Sequence, residues 1–231
     1  MTSAAFGVGA YSLPEAAKLL RMQPITLRRW LYGYDYDHGM GAVEQPPLWT
    51  PQYDPSQDGQ LLGFRDLIEA RIVNALRGSR IGLPTIRLCI GRARDILGDS
   101  HPFSTSAFKT DGRRIFLEIT EGVEEPHLID LKDRQHLFRS VVLPSLSGLD
   151  FGAEGATRWW LVPERKTLVA DPERSFGQPI IAQIGLLTSR VAQEVKAEGS
   201  ADRVARLYEI PVRAVRDALK FEGALPFKQA A

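Results

Sequence analysis

The sequence predicts an α+β fold that is mostly helical. Two observations carry that expectation: apolar residues recur at helical spacing toward both ends of the chain, and short β-prone runs bounded by turn residues occupy the middle. The 231 residues are 44% apolar and 25% charged, ordinary values for a chain that buries a core without staples. The expected division is an N-terminal helical domain over 10–98, a small β-rich connector over 99–167 and a C-terminal three-helix domain over 168–231.

Taken in order, Ser12-Leu13-Pro14-Glu15 reads as a capping box. It opens a helix whose Leu13, Ala16, Ala17 and Leu20 share one face. After the turn Arg21-Met22-Gln23, Pro24 starts a second helix through Leu31, and Gly33 stops it. Residues 32–63, rich in Pro, Gly and Asp, read as a long loop or wing. A third helix follows from Phe64, with Leu67, Ile68, Ile72 and Leu76 aligned, and a fourth runs from Leu83 to about Leu97. In the middle, Asp111-Gly112 between Phe108 and Glu118 signals a β-hairpin. Gln135 to Leu146 reads as a short helix, and Trp159–Val162 with Thr167–Ala170 as a second hairpin. Toward the end, Thr188 caps a helix that stops at Gly199, Ser200 caps one to Tyr208, and Pro211 opens a last one through Phe221.

The charge sums to +1 but is unevenly spread. Residues 13–31 carry Lys18, Arg21, Arg28 and Arg29 against Glu15, whereas residues 35–58 hold five carboxylates and no Lys or Arg. Residues 62–98 hold seven arginines and no lysine against Asp66, Glu69 and Asp95. A basic coat over the whole protein is thus excluded, and local basic patches remain. One cysteine excludes a disulfide framework. With no apolar run of membrane length and no basic residue in Met1 to Ala10, the chain is expected in the cytoplasm.

Two helices joined by a tight turn form the geometry whose second helix enters the DNA major groove, and arginines there can hold phosphates or read guanine edges. Thr26, Arg28 and Arg29 occupy that helix. Read alone, the same residues also suit a plain helical hairpin with solvated arginines. The C-terminal pair, with Arg213 and Arg216, is a second such arrangement, open either to DNA or to packing and partner contact. Nothing points to catalysis, a metal or a cofactor. Asp35, Asp37 and His38 have no completing cluster, and His38, His101, His127 and His136 lack zinc spacing. Cys89 reads as a small buried hydrophobe, Gly7-Val8-Gly9 lacks a third glycine, and Glu121, Glu124 and Glu125 read as a solvated acidic turn.

Ala16-Ala17-Lys18-Leu19-Leu20, Thr26-Leu27-Arg28-Arg29-Trp30, Phe64-Arg65-Asp66-Leu67 and Ile86-Arg87 resemble the MerR-like winged helix-turn-helix. That resemblance implies DNA contact through Thr26, Arg28, Arg29 and Arg65, although the wing here is longer and more acidic than usual. Asp171-Pro172, Gly177-Gln178-Pro179-Ile180-Ile181, Thr188 and Glu198-Gly199-Ser200 resemble a small three-helix domain found in antitoxins partnered with PIN-like toxins. Gly185 and Leu187 stand where that family carries an arginine and a proline. Both domains around a connector holding His101-Pro102-Phe103 and Trp159-Trp160 resemble the larger VapB-type antitoxins.

The resemblance implies a non-enzymatic antitoxin of a type II toxin–antitoxin system, and a dimer is expected because a short recognition helix alone reads few bases. It would bind double-stranded operator DNA, autoregulate transcription and block a PIN-like ribonuclease, with Arg174, Arg190 and Lys228 available to the toxin. The alternative is a stand-alone MerR-like transcription regulator that binds a small ligand around Phe108, Phe116, Trp159 and Trp160.

Overall fold

The computed structural model describes residues 8–37, 42–128 and 130–224. These fall into two compact units, residues 12–147 with 151–156, and residues 8–11, 148–150 and 157–224.

The first unit begins at the edge of a two-residue strand, β1 (Tyr11–Ser12), and helix α1 (Leu13–Leu20). The capping box forms: Glu15 N–H donates to Ser12 Oγ at 3.4 Å, and Ser12 N–H donates to Glu15 Oε2 at 2.8 Å. Leu13, Ala16, Ala17 and Leu20 are buried. Arg21 ends the helix at φ 54°, and α2 (Pro24–Tyr32) follows after a two-residue link, inserting Leu27, Trp30 and Leu31. α1 packs on both α2 and α3 (Phe64–Gly78), so α2 is held from behind and its other side faces solvent.

Gly33 stops α2 at φ 71° and ψ −176°, a region essentially reserved for glycine. A Cβ there would strike the Gln45 carbonyl. Gly33→Ala is expected to destabilise this unit by about 1–3 kcal/mol, read as a lower urea midpoint at unchanged m.

The acidic insert is ordered by pairing and by apolar anchors. β2 (Tyr34–Asp37) and β3 (Ala42–Gln45) form an antiparallel hairpin with Tyr34 opposite Gln45, Asp35 opposite Glu44 and Tyr36 opposite Val43. Alternation therefore gives one face of Tyr34, Tyr36, Val43 and Gln45, and another of Asp35, Asp37 and Glu44. His38 lies outside the described residues. Leu48, Trp49 and Tyr53 are buried, and β4 (Leu61–Leu62) leads into α3. Asp66 organises that entry. Its carboxylate accepts from the Gly63 and Gln52 N–H groups at 2.9 and 3.0 Å and from Trp49 Nε1 at 2.8 Å, and it lies 2.8 Å from His101 Nε2.

α4 (Leu83–Leu97) ends on Gly98 at φ 65°. The hairpin expected over Phe108–Glu118 does not form, because the segment is helix α5 (Ser106–Ile119). Thr105 caps it by accepting from Phe108 N–H at 3.1 Å. Phe108, Ile115, Phe116 and Ile119 are buried, and Phe103 and Phe138 set their rings 5.0 Å from Phe108 and 5.7 Å from Phe116. That burial outweighs the roughly 1 kcal/mol penalty of Gly112 in mid-helix. α6 (Leu131–Leu137) then passes through a wide turn at Phe138–Val142 into α7 (Leu143–Ser145). The first part of the stretch expected to be a β-rich connector, residues 102–145, is thus largely helical and clusters with the N-terminal helices. Glu125 is no solvated acid, since it accepts from Thr85 Oγ1 at 2.8 Å and from the Gly82 N–H at 3.3 Å, closing the start of α4.

In the second unit a four-stranded sheet runs β5 (Leu149–Phe151), β6 (Ala156–Trp160), β7 (Leu168–Ala170) and β8 (Pro179–Ile181) in spatial order. β6 pairs antiparallel with β7, Trp159 opposite Ala170 and Trp160 opposite Val169, so the second hairpin expected from the sequence is present. α8 (Thr188–Glu198), α9 (Ala201–Leu207) and α10 (Val212–Ala224) follow. Leu168, Ile181, Val191, Val204, Ile210 and Val215 belong to their core. Thr188 does not cap α8 as expected: Leu187 holds the cap position, and the Thr188 hydroxyl bonds Glu222 Oε1 at 2.5 Å. Ser200 does cap α9, accepting from Arg203 N–H at 3.4 Å. Gly177, at φ 85°, accepts through its carbonyl from the Tyr11 hydroxyl at 2.7 Å and has no room for a Cβ beside that ring.

Candidate nucleic-acid interface

The outer side of α2 is built by elimination. Leu27, Trp30 and Leu31 face inward at spacings of three and four, which turns Ile25, Arg28 and Arg29 outward and leaves Thr26 half-buried. Among the described residues neither arginine has a carboxylate partner. Arg29 lies 5.0 Å from the centroid of the Tyr34 ring, a contact that orients the guanidinium without neutralising it. Tyr32 closes the helix with its hydroxyl donating to Leu61 O at 3.0 Å. Burial, reinforced by the Asp66 charge and opposed by Arg28, pushes that phenol up to about 12, so it stays a neutral donor.

Arg65 does not join them. Its guanidinium is spent inside the unit, on Asp99 at 2.7 Å, the His101 carbonyl at 2.9 Å and Ser104 Oγ at 2.9 Å. These contacts make Arg65 a brace between the start of α3 and residues 99–104. Arg87 is likewise engaged, donating to the Pro46 and Pro47 carbonyls at 2.9 and 3.3 Å.

The hairpin beside α2 is two-sided. Asp35, Asp37 and Glu44 would repel a phosphate backbone, while on the opposite face the Tyr34 ring lies against Arg29. That face and α4 enclose an open groove of about 860 Å³, bordered by Arg29, Trp30, Tyr36, Leu83 and Leu88. The Tyr-Asp-Tyr-Asp alternation was a legible strand signal that the composition of the insert masked.

Arg174 and Arg190 belong to the second unit. Arg174 is half-buried and donates to the carbonyl of Ala182, just past β8, at 2.9 Å. Arg190 pairs with Glu194 one helical turn on at 2.6 Å, its side chain 59% exposed. Lys228 lies outside the described residues. The aromatic pocket expected around Phe108 and Phe116 is filled by Phe103 and Phe138. Cys89 is buried, and desolvation lifts its thiol to about 11, as a structural cysteine requires. Among the described residues no group of three or more His, Cys, Asp or Glu could hold a metal ion, and no helix is long and apolar enough to cross a membrane.

Residues 9–90 match a protein family described as "Putative DNA-binding HTH domain", a span that contains α1, the turn, α2, the hairpin and α3. Over 225 residues the chain is 26% identical to the "Putative antitoxin VapB45" of Mycobacterium tuberculosis, covering 93% of this chain and 94% of that one. The X-ray crystal structure of Rv2018 from Mycobacterium tuberculosis matches with a TM-score of 0.71 at 25% identity, covering 93% of this chain and 99% of that chain. The N-terminal unit thus carries a helix-turn-helix, and the similarity to an antitoxin and to a solved structure runs nearly the length of the chain.

Proposed function

We propose that this chain is the antitoxin of a type II toxin–antitoxin system, a non-enzymatic cytoplasmic dimer that binds operator DNA through α2 and holds a PIN-like ribonuclease. The observation that carries the DNA half is the outward, uncompensated pair Arg28 and Arg29 on a helix anchored from behind. α1, the turn, α2 and the following hairpin have the order of a MerR-like winged helix-turn-helix. The acidic face of the hairpin argues for contact centred on α2 rather than on the wing tip. A short recognition helix reads few bases, so two copies on half-sites roughly 34 Å apart are the natural unit.

The toxin half is supported by the similarity to a relative named as an antitoxin across 93% of the chain. PIN-like active sites are carboxylate clusters that need a divalent cation, and a guanidinium can take up that charge. Arg190 is the better placed of the two described arginines, because its side chain is exposed and it needs only to exchange its half-buried Glu194 partner for a toxin carboxylate. Co-expression with a PIN-like ribonuclease encoded beside this chain is expected to restore growth, and the two proteins to co-purify. Continued growth arrest with both proteins soluble would sink the toxin half while leaving DNA binding intact.

A further inference from the structure

We propose that the C-terminal unit is a second double-stranded-DNA contact surface, formed by the outer face of α10 on a helix-turn-helix of its own. The local geometry repeats that of the N-terminal unit. α1 and α9 have eight and seven residues, and each gives way to a short turn holding a non-glycine residue in the left-handed region, Arg21 at φ 54° and Glu209 at φ 53°. In the second turn Ile210 is buried, its N–H donating to the Ala205 carbonyl at 3.0 Å, which fixes the angle at which α10 leaves. α8 packs across both helices from behind, as the third helix of a trihelical module.

What α10 shows to solvent is cationic. Ala214, Val215 and Ala218 are buried, while Arg213, Arg216 and Lys220 recur at spacings of three and four and are exposed. At 1.5 Å per residue they line about 10 Å of one helical edge. The carboxylates of the same helix are drawn inward. Asp217 is 8% exposed and accepts from Arg165 Nε at 3.0 Å and Thr167 Oγ1 at 2.7 Å, and Glu222 accepts from Thr188. Among the described residues the stripe makes one ion pair, Arg216 with Asp202 of α9 at 3.6 Å with both side chains more than half exposed, a pair weak enough for a phosphate to replace, and exposed Glu209 stands in the turn before α10. Arg203 and Arg206 add exposed cations on α9. A row of exposed cations, only one of them in a weak surface ion pair among the described residues, on the second helix of a helix-turn-helix fits a polyanionic backbone better than it fits the isolated carboxylates of a protein surface.

This surface is independent of α2, and its test separates the two. The full chain, as Arg213→Ala/Arg216→Ala/Lys220→Ala, is titrated by fluorescence anisotropy against a fluorescein-labelled duplex of arbitrary sequence over a potassium chloride series. The log–log salt slope is expected to become shallower by about two to three units. The charge-keeping variant Arg213→Lys/Arg216→Lys is expected to retain the wild-type slope. The combination with Arg28→Ala/Arg29→Ala is expected to lose the sum of the two effects. A triple variant with wild-type circular dichroism and an unchanged slope overturns the proposal, even where the α2 pair still matters. An unchanged slope with loss of ribonuclease co-purification also overturns it, assigning the stripe to an acidic protein partner. A shallower slope in the triple variant alone upholds it and removes the role of α2 instead. If the alanine variant misfolds, Arg213→Gln/Arg216→Gln/Lys220→Gln gives the same reading, because these side chains project from the surface.

Discussion

Replacing Arg28 and Arg29 together with alanine is expected to weaken operator binding by roughly 100-fold at low salt and to make the salt dependence shallower by about two units of log–log slope. Each guanidinium lost from a phosphate or base edge removes about 1–3 kcal/mol, and two such losses bracket that factor. The fold is not expected to change, since Leu27, Trp30 and Leu31 hold α2 and, among the described residues, neither arginine has a carboxylate to abandon. Arg29 gives up only its position over Tyr34, a contact worth about 0.5–1 kcal/mol at an exposed site. Anisotropy titrations at several salt concentrations read both quantities, and the melting temperature controls for folding. Wild-type affinity with a wild-type salt slope would show that α2 does not enter the groove. Arg65→Ala distinguishes a DNA contact from a brace: it is expected to lower stability through the broken contacts to Asp99, His101 and Ser104 before it alters the salt slope.

The contrast among these arginines marks what the sequence could and could not reveal. Arg28 and Arg29 were legible because their orientation follows from neighbours one turn away, and the capping box at Ser12 was legible because its partners are three residues apart. Arg65 was not, because its partners lie 34 to 39 residues on and no local spacing announces them. Asp66 is the same case, joined to Trp49 and His101 from opposite directions along the chain. At Asp111-Gly112 a genuine local turn signal competes with the helical recurrence of Phe108, Ile115, Phe116 and Ile119, and tertiary aromatic packing decides for the helix. The helical ends of the chain were readable for the complementary reason: their apolar faces are contiguous on single helices and need no distant partner to define them.

Glu69 carries the largest expected effect on stability. It is wholly buried, accepts from Ser104 N–H at 2.8 Å through Oε1, and leaves Oε2 without a hydrogen bond. Desolvation is the main cause that lifts its carboxyl to about 8, against the opposing pull of the Ser104 N–H and the Arg65 charge. Between its ordinary value of 4.5 and about 8 the folded chain therefore holds a proton that the unfolded chain has released. Stability must fall as pH rises through that window, at up to 1.36 kcal/mol per pH unit, for a total approaching about 5 kcal/mol. Glu69→Gln keeps an acceptor for Ser104 N–H and has no proton to lose. Its urea midpoint is expected to match the parent near pH 5 and to exceed it clearly at pH 9, with the decline across pH 5–8 removed. The same decline in parent and variant would mean that the burial cost at Glu69 is relieved by water or by local opening, and that another group sets the acid dependence of this fold.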